Sequence, residues 1–167
     1  MKKTIKAVLC TILAMGLLLG GVNTYTVQVY AAEEVGATKN VDVLDVELMD
    51  LSGVKPSVNN TRTALTGCEI LFSKNSSGLH IEITTGCANG MASYLGVKDI
   101  KIEKKVWYGW QTIATAAGAQ QSNCSIMGLQ FDYANVTAGE TYRITCVHYG
   151  DYDGYHELAN NTGAFVY

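Results

Sequence analysis

The chain has 167 residues, 48% of them hydrophobic, and carries 12 basic against 15 acidic side chains, a net charge of −3. That length suits one domain of ordinary size. The acidic balance argues against nucleic acid as a partner, because phosphate contacts need a basic face.

The chain begins with the pattern of an exported protein. Lys2, Lys3 and Lys6 precede Ala7 to Val22, a stretch that is almost wholly apolar and uncharged. Polar and then small residues follow in NTYTVQVYAAEE. This is the order of a secretory signal peptide over 1–31, with cleavage predicted between Ala31 and Ala32. Val29 and Ala31 then stand where the peptidase reads side chains. The apolar run falls short of the ~20 residues of a spanning helix, so no membrane span is expected in the mature chain. Cys10 lies inside that run behind Ala-Val-Leu, a poor context for a lipid anchor. With no wall-sorting pattern at the C-terminus, the product is expected to be secreted and extracellular. Losing three lysines leaves 9 basic against 15 acidic side chains, and −6 overall.

Residues 32–61 read as an acidic leader or linker. Glu33, Glu34, Asp42, Asp45, Glu47 and Asp50 face only Lys39 and Lys55, and no aromatic residue occurs from Glu33 to Asn60. The stretch VDVLDVELMDL is ambiguous: Val41, Leu44, Leu48 and Leu51 recur at helical spacing, while Leu44, Val46 and Leu48 recur at strand spacing. The sole proline, Pro56, and a turn-like SVNNT follow. A spacer, a propeptide and a partner-docking segment are all compatible with this composition.

From Arg62 onward the period is two. CEILFSK and LHIEITT alternate about the turn Asn75 to Gly78, with Leu79, Ile81 and Ile83 inward and His80, Glu82 and Thr84 outward. ANGMASYLGV is irregular, with room for one helical turn. DIKIEKKVWY alternates again through Ile100 and Ile102, turns at Tyr108-Gly109, and returns as WQTIATA. GAQQSN reads as a polar loop. CSIMGLQFDYANV is the next strand, bulged at Gly128. TYRITCVHY places Tyr142, Ile144 and Cys146 on one face, and GAFVY closes the chain. About seven short strands predict an all-β, antiparallel sandwich over 62–167.

Four cysteines follow the predicted cut: Cys68, Cys87, Cys124 and Cys146. An even number in an exported chain favours two disulfides, and the absence of CxxC argues against a zinc cluster. Cys68 and Cys87 are nearly symmetric about the Asn75 to Gly78 turn. The first pairing is therefore Cys68–Cys87 with Cys124–Cys146, and the alternative is an inter-sheet bridge from Cys87 to Cys146.

Two resemblances arise from the C-terminal half. NVTAGETYRITCVHY resembles the penultimate strand of fibronectin type III and other immunoglobulin-like domains, where a Gly-x-x-Tyr turn leads into an alternating strand. That resemblance implies a corner role for Tyr142, its hydroxyl bonded to nearby backbone. More broadly, Trp110 with Ile113, Tyr142-Arg143, His148, Glu157 and Thr162-Gly163 are similar to the pattern of small exported proteins of Gram-positive bacteria that carry a domain of unknown function. No catalytic role comes with this resemblance, and the four cysteines and the extra aromatics of VWYGW depart from it.

No Gly-x-Ser-x-Gly, HExxH or phosphate-binding glycine loop is present. No cofactor is expected. Within HYGDYDGYHE, Asp151, Asp153 and Glu157 form a weak calcium candidate, since the next odd position after Asp153 is Tyr155 and supplies no carboxylate. Folding that stretch into a hairpin brings His148 to within a place or so of His156 and Glu157. Trp107, Tyr108 and Trp110 form an aromatic group in which one tryptophan is expected inward. Trp107 and Tyr108 at one hairpin, with Tyr152 and Tyr155 at another, are the residues expected to touch a partner. Tyr149 could join the second group. The expected function is a non-enzymatic binding module whose partner is an extracellular protein or a cell-wall glycan. The alternative is a secreted hydrolase or metal-dependent enzyme using His148, His156 and Glu157.

Overall fold

The structure, a computed structural model, describes residues 27–30, 41–51, 54, 64–88 and 90–167. The strands are β1 (Val27–Tyr30), β2 (Asp42–Leu44), β3 (Glu47–Leu48), β4 (Leu65–Asn75), β5 (Gly78–Cys87), β6 (Ala92–Val106), β7 (Gly109–Ala116), β8 (Gly118–Cys124), β9 (Ile126–Tyr133), β10 (Thr141–Asp151), β11 (Tyr155–Asn161) and β12 (Phe165–Val166). No helix occurs among the described residues. These strands form two sheets, one of four strands in the order β3-β9-β5-β4 and one of eight built around β6 and β10.

The four-stranded sheet follows directly from period-two alternation. β4 and β5 form the predicted hairpin, closed by the pair Asn75 and Gly78. Gly78 has φ 134°, and a Cβ there would lie 2.2 Å from the Tyr133 carbonyl oxygen, so the turn requires glycine. Across β5 and β9, Leu79, Ile81, Ile83 and Thr85 pair with Tyr133, Phe131, Leu129 and Met127. All eight are buried and form one wall of the core. Each buried aliphatic side chain contributes roughly 1.5–3 kcal/mol relative to exposure.

The opposite wall comes from β6 and β10, where Leu95, Val97, Ile100, Ile102, Ile144 and Tyr142 are buried. Val97 and Ile100 are three residues apart, which strict alternation forbids. A bulge reconciles them. Lys98 pairs with Val147 and Lys101 with Thr145, so β6 spends two residues, Asp99 and Ile100, where β10 spends only Cys146. Asp99 takes φ 54° at this point. Tyr142 is buried, and its hydroxyl accepts a hydrogen bond from the nearby Thr137 N–H at 2.9 Å.

Several expectations change. GAQQSN is a strand, β8, not a loop. It looks polar because Gln120 and Ser122 are not in the core, while the small residues Gly118 and Ala119 are buried on the two faces of the strand. A Cβ on Gly118 would lie 2.4 Å from the Val97 carbonyl oxygen. The irregular stretch before Ile100 is the first half of β6. Part of the expected leader belongs to the sandwich. β2 pairs in parallel with β7, β3 pairs with β9, and Leu44, Val46 and Leu48 pack against the core, so the strand spacing is the one that folds.

β1 pairs Val27 to Tyr30 with Gln121 to Gly118. It precedes the predicted cut, so cleavage after Ala31 would remove an edge strand and open β8. The cut itself, the remainder of the predicted signal peptide, most of 32–61 and Arg62 lie outside the described residues.

Candidate functional site

The hairpin joining β6 to β7 closes with the pair Val106 and Gly109, leaving Trp107 and Tyr108 as its two-residue tip. Trp107 is 94% exposed and Tyr108 is 60% exposed. Their rings meet edge to face, with centroids 5.0 Å apart and planes at 87°. The base of the hairpin is held differently. Trp110 is half-buried on the sheet face, with the Arg143 guanidinium 4.5 Å and the Lys105 ammonium 5.0 Å from its ring centre. Arg143 Nε donates to Glu103 at 2.6 Å, which fixes the guanidinium over the indole. Neither tryptophan enters the core, contrary to expectation: Trp110 pairs with Lys105 on the sheet's outer face, and cations cover it there. The base is thereby stiffened while the tip projects.

The β10–β11 hairpin is less open than expected. Tyr149 is buried, its ring lying over Gly96, where a Cβ would meet the phenol at 2.3 Å. Tyr152 is half-buried and packs against the core. Only Tyr155 is largely exposed, and its hydroxyl donates to Glu157 and accepts from Lys98. Lys98 also forms an ion pair with Glu157. These bonds, the one from Glu157 first, raise the Lys98 pKa above its ordinary value. The bond from Lys98, then that from Tyr155, lowers the Glu157 pKa. Asp151, Asp153 and Glu157 therefore do not present three free carboxylates. Among the described residues, no group of three or more His, Cys, Asp and Glu side chains is arranged to hold a metal.

His148, His156 and Glu157 do not converge. His148 pairs with Leu158, His156 with Gly150, and Glu157 with Tyr149. Adjacent strand residues face opposite sides, so Glu157 lies on the outer face with Lys98 while His148 points between the sheets. His148 is fully buried. Its Nδ1 lies 2.8 Å from Thr85 Oγ1, and its Nε2 lies 3.4 Å from both Asn160 Nδ2 and Cys146 Sγ. An amide nitrogen can only donate, so Nε2 accepts and the ring proton belongs on Nδ1, donated to Thr85 Oγ1. Thr85 Oγ1 in turn donates to the Gly96 carbonyl at 3.5 Å. Burial pulls the imidazole pKa down to about 4, so the ring is neutral near pH 7. His80 contrasts with it: part-exposed, it bonds to Asp132 at 2.8 Å, and that bond raises its pKa.

All four cysteines are free thiols, so the predicted disulfides are absent. The predicted pairings are also misplaced. Leu65, not Cys68, pairs with Cys87, and a bulge between Thr66 and Glu69 sets Gly67 and Cys68 together across from Thr85. Cys124 pairs with Ala92 on one side of β6, while Cys146 sits at the Lys98–Lys101 bulge on the other side. Two strand spacings, roughly 10 Å, and six or more residues along β6, roughly 20 Å, separate them. A disulfide tolerates about 7 Å between Cα atoms. Cys87 to Cys146 fails likewise. Thr85 meets His148, and Leu65, the partner of Cys87, lies against Gly150. Cys87 is thus about four residues, ~13 Å, beyond Cys146.

Arg143 and Lys98 are the organising cations of the two hairpins, and sequence reading gave neither that role. Their ring partners lie on other strands, and only the registers bring them together. Comparison of the chain with family models, with curated proteins and with solved structures finds no match in any of the three.

Proposed function

We propose that the chain is a non-enzymatic binding module of immunoglobulin-like type that acts outside the cell and engages a protein partner through the Trp107–Tyr108 tip. The observation that carries this reading is the 94% exposure of Trp107 at the apex of a stiffened hairpin. An aromatic side chain offers about 150–250 Å² for burial, so at roughly 25 cal/mol per Å² the exposed indole holds on the order of 5 kcal/mol of unused burial. Trp, Tyr and Arg are the residues that dominate interface energetics. Rings set at 87° on a convex tip make a wedge and not a flat platform, which favours a protein pocket over a sugar face. The buried corner Tyr142 supports the immunoglobulin-like assignment. Export, and kinship with small exported proteins of Gram-positive bacteria, belong to the same reading.

The test is capture. The immobilised full chain and its Trp107→Ala/Tyr108→Ala variant are exposed to culture medium and cell-wall extract, and bound proteins are identified by mass spectrometry. A glycan array runs in parallel. The expected result is a protein retained by the parent chain and lost by the variant, with equal melting temperatures. Identical capture by both overturns the tip as the site, and binding confined to the array replaces the protein partner with a glycan.

A further inference from the structure

The four thiols form two groups within the sandwich. In the first, the Cys87 N–H donates to the Ser125 carbonyl at 3.0 Å and Cys87 Sγ lies 3.5 Å from the same oxygen, one residue from Cys124. Cys87 also receives a backbone bond from Ala92, the ladder partner of Cys124. In the second group, Asn160 is the ladder partner of Cys146. Its Nδ2 donates to the Cys68 carbonyl at 2.9 Å and reaches His148, against which Cys146 Sγ packs. Each group holds one cysteine from each sheet: β5 with β8, and β4 with β10.

We propose that under a disulfide oxidant the thiols close as Cys68–Cys146 and Cys87–Cys124, two bridges that each tie one sheet to the other. This is the one connectivity of the three that neither sequence-based pairing contains. The electrostatics agree with the geometry. Burial first and Cys87 after it raise the Cys124 pKa, to about 11. Burial first and Cys68 after it raise that of Cys146, to about 12.

The chemistry balances with a disulfide such as oxidised glutathione, or the disulfide of a thiol oxidoreductase, as electron acceptor. One cysteine thiolate attacks the oxidant, forming a mixed disulfide and releasing one glutathione thiolate, which takes a proton. The partner thiolate then attacks the mixed disulfide and releases the second. Each bridge removes two protons and two electrons from the chain and converts one oxidised glutathione to two reduced. The buried, poorly acidic thiols react slowly in the folded state. The bridges therefore form during folding or through transient opening.

The proposal goes beyond the binding reading and does not depend on it, since its test needs no partner. The full chain carrying Cys10→Ser is reduced, denatured and refolded in a glutathione redox buffer. It is then digested without reduction and mapped by mass spectrometry. The expected result is the loss of four hydrogens, with the Cys68 peptide joined to that of Cys146 and the Cys87 peptide to that of Cys124. Cys68 joined to Cys87 or to Cys124 overturns it, as do four free thiols in a refolded chain with native near-ultraviolet dichroism. A Cys87→Ser/Cys124→Ser variant gives a second reading: it must still form Cys68–Cys146, and two free thiols in that folded variant also overturn the proposal.

Discussion

Acidification should destabilise the fold through one residue, His148. In the folded chain burial holds its pKa at about 4, against an ordinary value of 6.5. Between those values the unfolded chain binds a proton that the folded chain refuses, so unfolding free energy rises with pH in this window. The contribution is fully present above pH 6.5 and is lost progressively as pH falls toward 4. A difference of about 2.5 units at 1.36 kcal/mol per unit amounts to roughly 3 kcal/mol. No carboxylate offsets the loss, because the ring's polar neighbours are Thr85, Asn160 and the Cys146 thiol. Other groups titrate in the same range. The raised pKa of His80 works in the opposite sense, adding stability below its unfolded pKa. The His148→Gln variant keeps every one of these groups and removes only the imidazole. Urea denaturation of parent and variant from pH 7.5 to 4 isolates what the ring contributes. The parent should be the more stable at pH 7.5, and its advantage should shrink by about 3 kcal/mol by pH 4. A difference that stays constant across the range, or an NMR titration placing the His148 ring near 6.5, would refute the reasoning.

Two further outcomes follow from the packing. Tyr142→Phe removes the hydroxyl that accepts the Thr137 N–H while leaving the ring in place. It should cost about 1 kcal/mol in denaturation midpoint analysis without changing the m-value, and an unchanged midpoint would deny the Thr137–Tyr142 bond any weight. Gly96→Ala drives a methyl into the Tyr149 ring, 2.3 Å from its Cζ. It should destabilise by about 1–3 kcal/mol, and the loss should largely vanish in a Tyr149→Ala background; an additive double mutant would mean that the collision is not the cause.

What the sequence made legible follows the period of the strands, and what it hid follows their registers. β5 and the second half of β6 alternate without interruption, so Leu79, Ile81, Ile83, Ile100 and Ile102 are assigned inward and lie in the core. The first half of β6 is out of phase with the second because the Asp99 bulge resets the alternation, and its one outward sign is a non-glycine residue in the left-handed region. β8 carries too few large apolar residues to register as a strand, because Gly118 must pack against the Val97 carbonyl. Pairing the cysteines by symmetry about a turn failed on two counts. The closing pair, Asn75 with Gly78, already offsets Cys68 from Cys87 by two places, and the second bulge hides the rest of the register. The candidate sites divide along the same line. The sequence signals a turn at Tyr108-Gly109 and the fold makes it one residue earlier, at Trp107 and Tyr108, whereas the cover over Trp110 comes from Arg143 on β10. His148 is the instructive case. Tyr142, Ile144 and Cys146 already define the inward face of β10, and the same parity carried one step further buries His148. The cluster of histidines and carboxylates around it invites an active-site reading because it is close in sequence. In a strand, neighbours in sequence lie on opposite faces. The buried imidazole is thus separated from Glu157 by the sheet itself, and its chemistry is turned inward, toward Thr85 and Cys146 and the stability of the core.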